Sequence, residues 1–199
     1  MPRQVDHDSR RRQIAQGVFE LIAERGLEAA TLRDVAARAG VSMGAAQRCF
    51  RTKEEMLLFA LEHMNQQVTA RIQAAIADSE DPGSTITMLE QTLLGTIPTD
   101  EQGRAEARVW LAFSAQAAID PKLAAVQREQ YDGLAELITL LIRVAQDAGG
   151  LRDDLDAKSE AEALITYADG LNIQLLLSRT TPAEARSALR AQLTALRTP

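Results

Sequence analysis

Residues 31–50, TLRDVAARAGVSMGAAQRCF, hold the side chains best suited to chemistry, and the chemistry is recognition. Gln47 and Arg48 carry long polar groups that can hydrogen-bond to base edges or phosphates. They share a short helix with Met43, Gly44, Ala45 and Ala46, a thin start that lets the backbone come close to something outside. Thr31 and Asp34 have the spacing of a capping box, and Leu32, Val35, Ala36 and Ala39 recur at helical intervals. Gly40 stands where the chain must turn, because left-handed backbone angles cost glycine least. Val41 can plug the joint, and Ser42 can cap the second helix. The pattern predicts a helix-turn-helix whose second helix lies in a DNA major groove. It also suits two helices packed for structure alone.

Charge bears on that choice. Arg10, Arg11 and Arg12 precede the motif, and Arg33, Arg38, Arg48, Arg51 and Lys53 lie in or beside it. Residues 1–60 carry ten Lys and Arg against eight Asp and Glu; the remaining 139 carry twelve against twenty. Such asymmetry suggests that one end meets a polyanion and the other does not. The chain as a whole, at net charge −6 and pI near 5.1, is no general nucleic-acid coat. The candidate DNA contacts are Arg10, Arg11, Thr31, Arg33, Ser42, Met43, Gly44, Gln47, Arg48 and Lys53.

The elements that must position these residues all read as helix, about nine of them, in an all-α fold. No stretch alternates with period two for long. The first helix runs from about Ser9 to Arg25 with Ile14, Val18, Leu21 and Ile22 on one stripe, and a loose charged arm precedes it. A long helix opens after Thr52 and reaches about Ala77, where Asp81-Pro82-Gly83-Ser84 breaks the pattern. A short helix then reaches Gly95, another runs from about Glu101 to Ala118, a long one from Pro121 to near Gly149-Gly150, and the last two cover about 157–178 and 182–196, with Asp120-Pro121 and Thr181-Pro182-Ala183-Glu184 as start signals. The expected division is residues 1–52 for the arm and helix-turn-helix domain and 53–199 for a helical body.

The body suggests two more sites. Between 157 and 178, Leu164, Ile165, Ala168, Leu171 and Leu175 make one apolar stripe; Ala163, Tyr167, Gly170, Ile173 and Leu177 make another. A helix apolar most of the way round is buried on both sides, and a second copy of the chain is one way to cover the far side. Tyr167, Gly170, Ile173 and Leu177, with Leu189, Leu193 and Leu196 of the last helix, are the candidate interface. The alternative is that both are ordinary core helices. Met88, Trp110, Phe113, Ser114, Tyr131, Tyr167 and Asn172 are candidates for lining a small-molecule cavity, apolar with a few polar groups. Trp110, Tyr131 and Tyr167 could form an aromatic cage for a quaternary ammonium. Equally, aromatics and Met at helical spacing are ordinary core.

Other classes find little support. His7 and His63 have no ligand pattern around them, and no Gly-rich phosphate loop, metal-ligand cluster or nucleophile elbow occurs, so neither an enzyme nor a metal or cofactor is expected. The single cysteine, Cys49, reads as a packed small residue and fits a reducing cytoplasm. No apolar run approaches the roughly 20 residues of a membrane span, and the charged start is no secretion signal. A helical adaptor with an incidental basic end is the reading from another class.

Residues 12–58 resemble the N-terminal domain of TetR-family transcriptional regulators. The resemblance is carried by RQIAQGVFELIAERGLEAATLRDVAARAGVS, Gly44, Phe50 and TKEEML. Two positions depart from that family's pattern: Gln47 stands where an aromatic, most often Tyr, touches the DNA backbone, and Cys49 where His or Tyr is common. Gln47 is left with either a phosphate or a base contact. WLAFSAQAAIDP (110–121), QREQY (127–131) and DGLNIQLLL (169–177) resemble the ligand-binding half of the branch that includes choline-responsive BetI repressors. The resemblance implies a two-fold dimer built on the last two helices, and a palindromic double-stranded operator. It also implies a small effector of apolar, aromatic or cationic character. A repressor is implied first and an activator second.

Overall fold

The computed structural model describes residues 2–198 and is helical nearly throughout. Among those residues run α1 (Pro2–Arg25), a 3-10 turn (Leu27–Ala29), α2 (Leu32–Arg38), α3 (Met43–Cys49), α4 (Lys53–Ala77), α5 (Thr85–Leu94), α6 (Glu101–Ala117), α7 (Pro121–Asp147), α8 (Ala157–Leu176) and α9 (Pro182–Ala195). Most starts coincide with a side-chain cap, which satisfies an amide that would otherwise lack a partner. Asp120 accepts from the Lys122 amide at 3.0 Å just ahead of Pro121. Asp156 accepts from Ser159 at 2.8 Å. Thr181 and Glu184 cap each other's backbone reciprocally. At its other end α1 starts at Pro2, where the sequence suggested a loose arm; only the backbone of its first five residues is described.

The chain forms two compact units. The first extends to Gln67 and includes Ala105–Phe113; the second comprises Val68–Arg104 and the chain from Ser114 onward. This packing division falls inside α4, not at the expected 52/53 boundary. The first half of α4 belongs with the helix-turn-helix because Met56, Leu57, Ala60, Leu61 and Met64 are buried there. Phe59 also lies 5.4 Å, centroid to centroid, from the Phe50 ring.

In the first unit, α1 carries the motif. Ile14, Ala15, Val18, Leu21 and Ile22 are nearly inaccessible. Gly17 lets α1 and α2 approach so closely that an added Cβ would sit 3.2 Å from that of Ala39. Gln13 donates its side-chain amide to the Ala39 carbonyl at 2.7 Å, tying α1 to the end of α2. Arg38 of α2 donates two hydrogen bonds of 2.7 Å to Glu24 of α1 and a longer one to Glu20. Those bonds hold the Glu24 carboxyl below its ordinary range and the Arg38 guanidinium above its own.

In the second unit, α5, α7, α8 and α9 pack around a core that includes Leu89, Leu93, Leu94, Ile138, Ile142, Leu175 and Leu189. Among the described residues an isolated antiparallel bridge pairs Leu151, just after α7, with Arg197, just after α9. On α8 the stripe of Leu164, Ile165, Ala168 and Leu175 is buried, whereas Tyr167, Gly170, Ile173 and Leu177 are exposed. On α9, however, Leu189, Leu193 and Leu196 are 0, 8 and 8 % exposed and belong to the chain's own core, so they offer a partner nothing. The outward side of α9 carries small residues instead: Ala183, Ser187, Ala191 and Ala195, one turn apart. The body leaves a second apolar stripe open on α7, at Leu137, Leu140 and Val144.

Candidate functional site

The helix-turn-helix forms by the local rules its sequence implies. The Asp34 amide donates to Thr31 Oγ1 at 3.2 Å, starting α2. Gly40 takes φ +65°, and the Val41 amide then reaches back to the Ala36 carbonyl at 3.0 Å, closing the helix end. The Ala45 amide donates to Ser42 Oγ at 3.2 Å and starts α3. Ala45, Ala46 and Cys49 are buried. Because residues four apart share a helical face, Met43, Gly44, Gln47 and Arg48 stand together on the opposite side, all exposed. A Cβ on Gly44 would meet only the Arg48 guanidinium, at 3.7 Å, so this face is bare where a groove floor would approach it. Thr31, Arg33, Ser42 and Lys53 are exposed as well, and Arg10 is half-buried.

Arg11 departs from the expected role. Its guanidinium lies 4.8 Å from the Phe50 ring centre and 4.3 Å from that of Phe59, with Glu55 Oε1 3.6 Å away and its Nε buried. This is a packed cation on two aromatic faces, not a phosphate contact. Each such stack contributes about 0.5–2 kcal/mol. Arg11→Ala is therefore expected to lower the melting temperature and to weaken every duplex alike through loss of folded head. A thermal melt beside binding to random and specific DNA checks it. A selective loss of specific binding at unchanged stability would contradict this role.

The candidate effector residues separate on inspection. Trp110, half-buried, and Phe113, 1 % exposed, belong to the first unit. Met88 and Tyr131 pack against the core of the second. Tyr167 is 36 % exposed on the outer side of α8, so it cannot join a cage with Tyr131. The physical reason is rotation: two residues along a helix turn the side chain by about 200°, and Tyr131 meets α8 at Asp169. There its hydroxyl donates to Asp169 Oδ2 at 2.7 Å. Asn172, one turn further on the same side, is 6 % exposed with a buried Oδ1 that has no hydrogen-bond partner; the buried Ser114 Oγ lacks one too.

Asp169 and Gln127 were not among the candidate site residues, although both lie in stretches that carry the resemblance. The signal available was the one acid in the apolar C-terminal half of α8, three positions before Asn172. Burial pushes the Asp169 carboxyl up, and the Tyr131 hydroxyl pulls it only part of the way back. A carboxyl raised in the folded state contributes stability below its ordinary range, near pH 4, and loses it as pH rises through the raised value. Asp169→Asn, which still accepts from Tyr131, is expected to melt higher than the parent at neutral pH. The difference should vanish at acid pH in paired melts, and a lower melting temperature at neutral pH would contradict this.

Among the described residues no group of three or more His, Cys, Asp or Glu is placed to hold a metal ion, and no helix is long and apolar enough to cross a membrane. A capped helix-turn-helix with an exposed recognition face, followed by a helical body, defines a DNA-binding regulator. The chain belongs to the TetR family of transcriptional regulators. Residues 15–59 match the model of bacterial regulatory proteins of the tetR family, and residues 85–198 match the BetI-type transcriptional repressor C-terminal domain. It is 34% identical over 177 residues to the HTH-type transcriptional regulator PksA of Bacillus subtilis, covering 89% of this chain and 83% of that one. It is 26% identical over 176 residues to the nicotine-responsive transcriptional repressor HdnoR of Paenarthrobacter nicotinovorans, 87% of each chain. A regulator from Saccharomonospora viridis, solved in complex with choline, superposes with TM-score 0.82 at 27% identity, covering 92% of this chain and 95% of that one. The family comprises transcriptional regulators, not enzymes; they bind DNA and small-molecule effectors.

Proposed function

We propose that the protein is a homodimeric repressor that holds a palindromic operator and releases it when a small organic molecule binds in the helical body. The observation that carries this reading is the exposed face of α3, where Met43, Gly44, Gln47 and Arg48 stand clear of the chain's own core. Arg48 and Gln47 read base edges in the major groove, and Lys53 and Arg33 hold phosphates.

Two heads reach successive major grooves only if they sit about 34–36 Å apart, or a multiple of that. A two-fold dimer meets that demand on a palindromic site. The support for the dimer is the open apolar face of α8 at Tyr167, Gly170, Ile173 and Leu177, beside the small-residue side of α9. An added Cβ on Gly170 would meet nothing within 4 Å, which leaves room for a partner helix to approach closely.

The effector acts by binding the DNA-incompetent arrangement more tightly than the competent one. α4, about 37 Å of continuous helix at 1.5 Å per residue, is the element that carries the change between body and head. The effector is small and apolar, aromatic or cationic, as the choline of the Saccharomonospora regulator and the nicotine response of HdnoR suggest. A gel shift with the DNA upstream of the protein's own gene, against random duplex, tests the reading. Preference for the upstream DNA, abolished by an effector found by thermal shift, supports it; equal affinity for both duplexes contradicts it.

A further inference from the structure

We infer that Gly95 is a positioning residue for operator binding: its bare Cα is the seat on which Ile72 of α4 rests, and the depth of that seat sets where α4 presents the head to DNA. This rests on the operator binding proposed above and names a residue outside the recognition face on which it depends.

Ile72 and Gly95, the residue after α5, both belong to the second unit. An ideal Cβ on Gly95 would overlap Ile72 Cγ1 and lie 2.9 Å from Ile72 Cδ1. Packed carbons ordinarily stand about 3.5–4.0 Å apart. The Gly95 backbone, at φ −68° and ψ −17°, is right-handed helical and suits any residue, so space and not conformation calls for glycine here. Ile72 has little freedom to swing clear. Its Cγ1 is attached directly to Cβ, and a β-branched side chain in a helix keeps largely to one χ1 rotamer.

With a side chain at residue 95 one of the two elements must give way, and α4 is the more lightly held. The end of α5 is fixed from several sides. Leu93, Leu94 and Ile97 are buried. Arg186 of α9 donates to the Leu94 carbonyl at 3.1 Å, and Arg190 Nε donates to Glu90 Oε1 at 2.8 Å. The second half of α4, by contrast, is covered along a single line. Val68, Ile72 and Ile76, one turn apart, are half-buried, and the other residues of 68–77 are exposed. A methyl group at residue 95 therefore lifts α4 away from the end of α5. The helix passes the shift on, because Lys53–Ala77 contains no Pro or Gly at which to kink. Its first half is committed to the head, where Met56, Leu57, Ala60, Leu61 and Met64 are buried.

The test uses the full chain with Gly95→Ala, with Ile72→Ala and with both. Crystal structures free of DNA show which element yields. Titrations of the operator found upstream, and of versions with one base pair added to or removed from its centre, show what that does to binding. Gly95→Ala is expected to fold, with Ile72 about 1 Å further from residue 95 and the end of α5 in place. It should lose at least tenfold in operator affinity and rank the three operator lengths differently from the parent. A chain that was merely less stable would weaken on all three alike. Ile72→Ala clears the space the new methyl needs, so the double variant should return to within about threefold of Ile72→Ala alone, the non-additivity of residues in contact. Parental affinity and length preference in Gly95→Ala, an α4 that stays in place, an unfolded Gly95→Ala chain, or a loss that Ile72→Ala does not relieve overturns the inference and leaves the operator reading standing. Equal affinity of the parent for operator and random duplex counts against the operator reading and the inference together.

Discussion

Ile173→Asp is expected to give a folded monomer that no longer holds the operator. Ile173 is 39 % exposed in the single chain, on the outer face of α8, so a carboxylate there stays in water and leaves the fold intact. In the proposed dimer the same carboxylate would be buried without a partner, twice over, across the two-fold axis. Removing one partner of a buried charge pair costs about 3–5 kcal/mol, and two uncompensated charges in one interface cost at least as much. Each monomer would then bring one head to one half-site, losing the effective concentration that links the second contact to the first; avidity of this kind is worth about 10²–10⁴ in affinity. Light scattering and operator titration on the same sample check both halves. A well-folded Ile173→Asp dimer with parental affinity would remove α8 from the interface.

Arg48→Ala should erase much of the preference for the operator without touching the fold. The side chain is exposed and leans over the bare Gly44 position at 3.7 Å, so truncation leaves no cavity. A bidentate contact with a base discriminates by about 1–3 kcal/mol, and the loss should fall on the cognate site alone. Lys53→Ala, at the first residue of α4, should instead weaken all duplexes and reduce the dependence of affinity on salt. Fluorescence anisotropy with cognate and random duplexes over a range of salt separates the two. If Arg48→Ala leaves the ratio of cognate to random affinity unchanged, Arg48 is not a reader.

Local signals carried furthest in the sequence. Thr31, Gly40 and Ser42 act over three or four residues, and each forms the cap or turn that its type demands. The two stripes of α8 were legible for a similar reason: helical periodicity says how many faces of a helix are apolar. It does not say which neighbour covers each face, and that is where α9 misled. Its one stripe, Leu189, Leu193 and Leu196, meets its own chain. Arg11 was beyond reach for a different reason. In a run of three arginines nothing marks the middle one, and its partners Phe50, Glu55 and Phe59 lie about forty residues downstream. Asp169 was visible as an acid in the apolar half of α8, but its surroundings depend on Tyr131 of another helix and on an Asn172 oxygen left without a partner.

Hydroxyl-radical footprinting of the protein on the DNA upstream of its own gene, with and without an effector selected by thermal shift, tests the central claim most directly. The account predicts two protected segments centred one helical turn apart, or a multiple of it, related by a two-fold axis and lost together when the effector is added. A single protected segment, or a footprint that an effector-saturated protein retains in full, would contradict it.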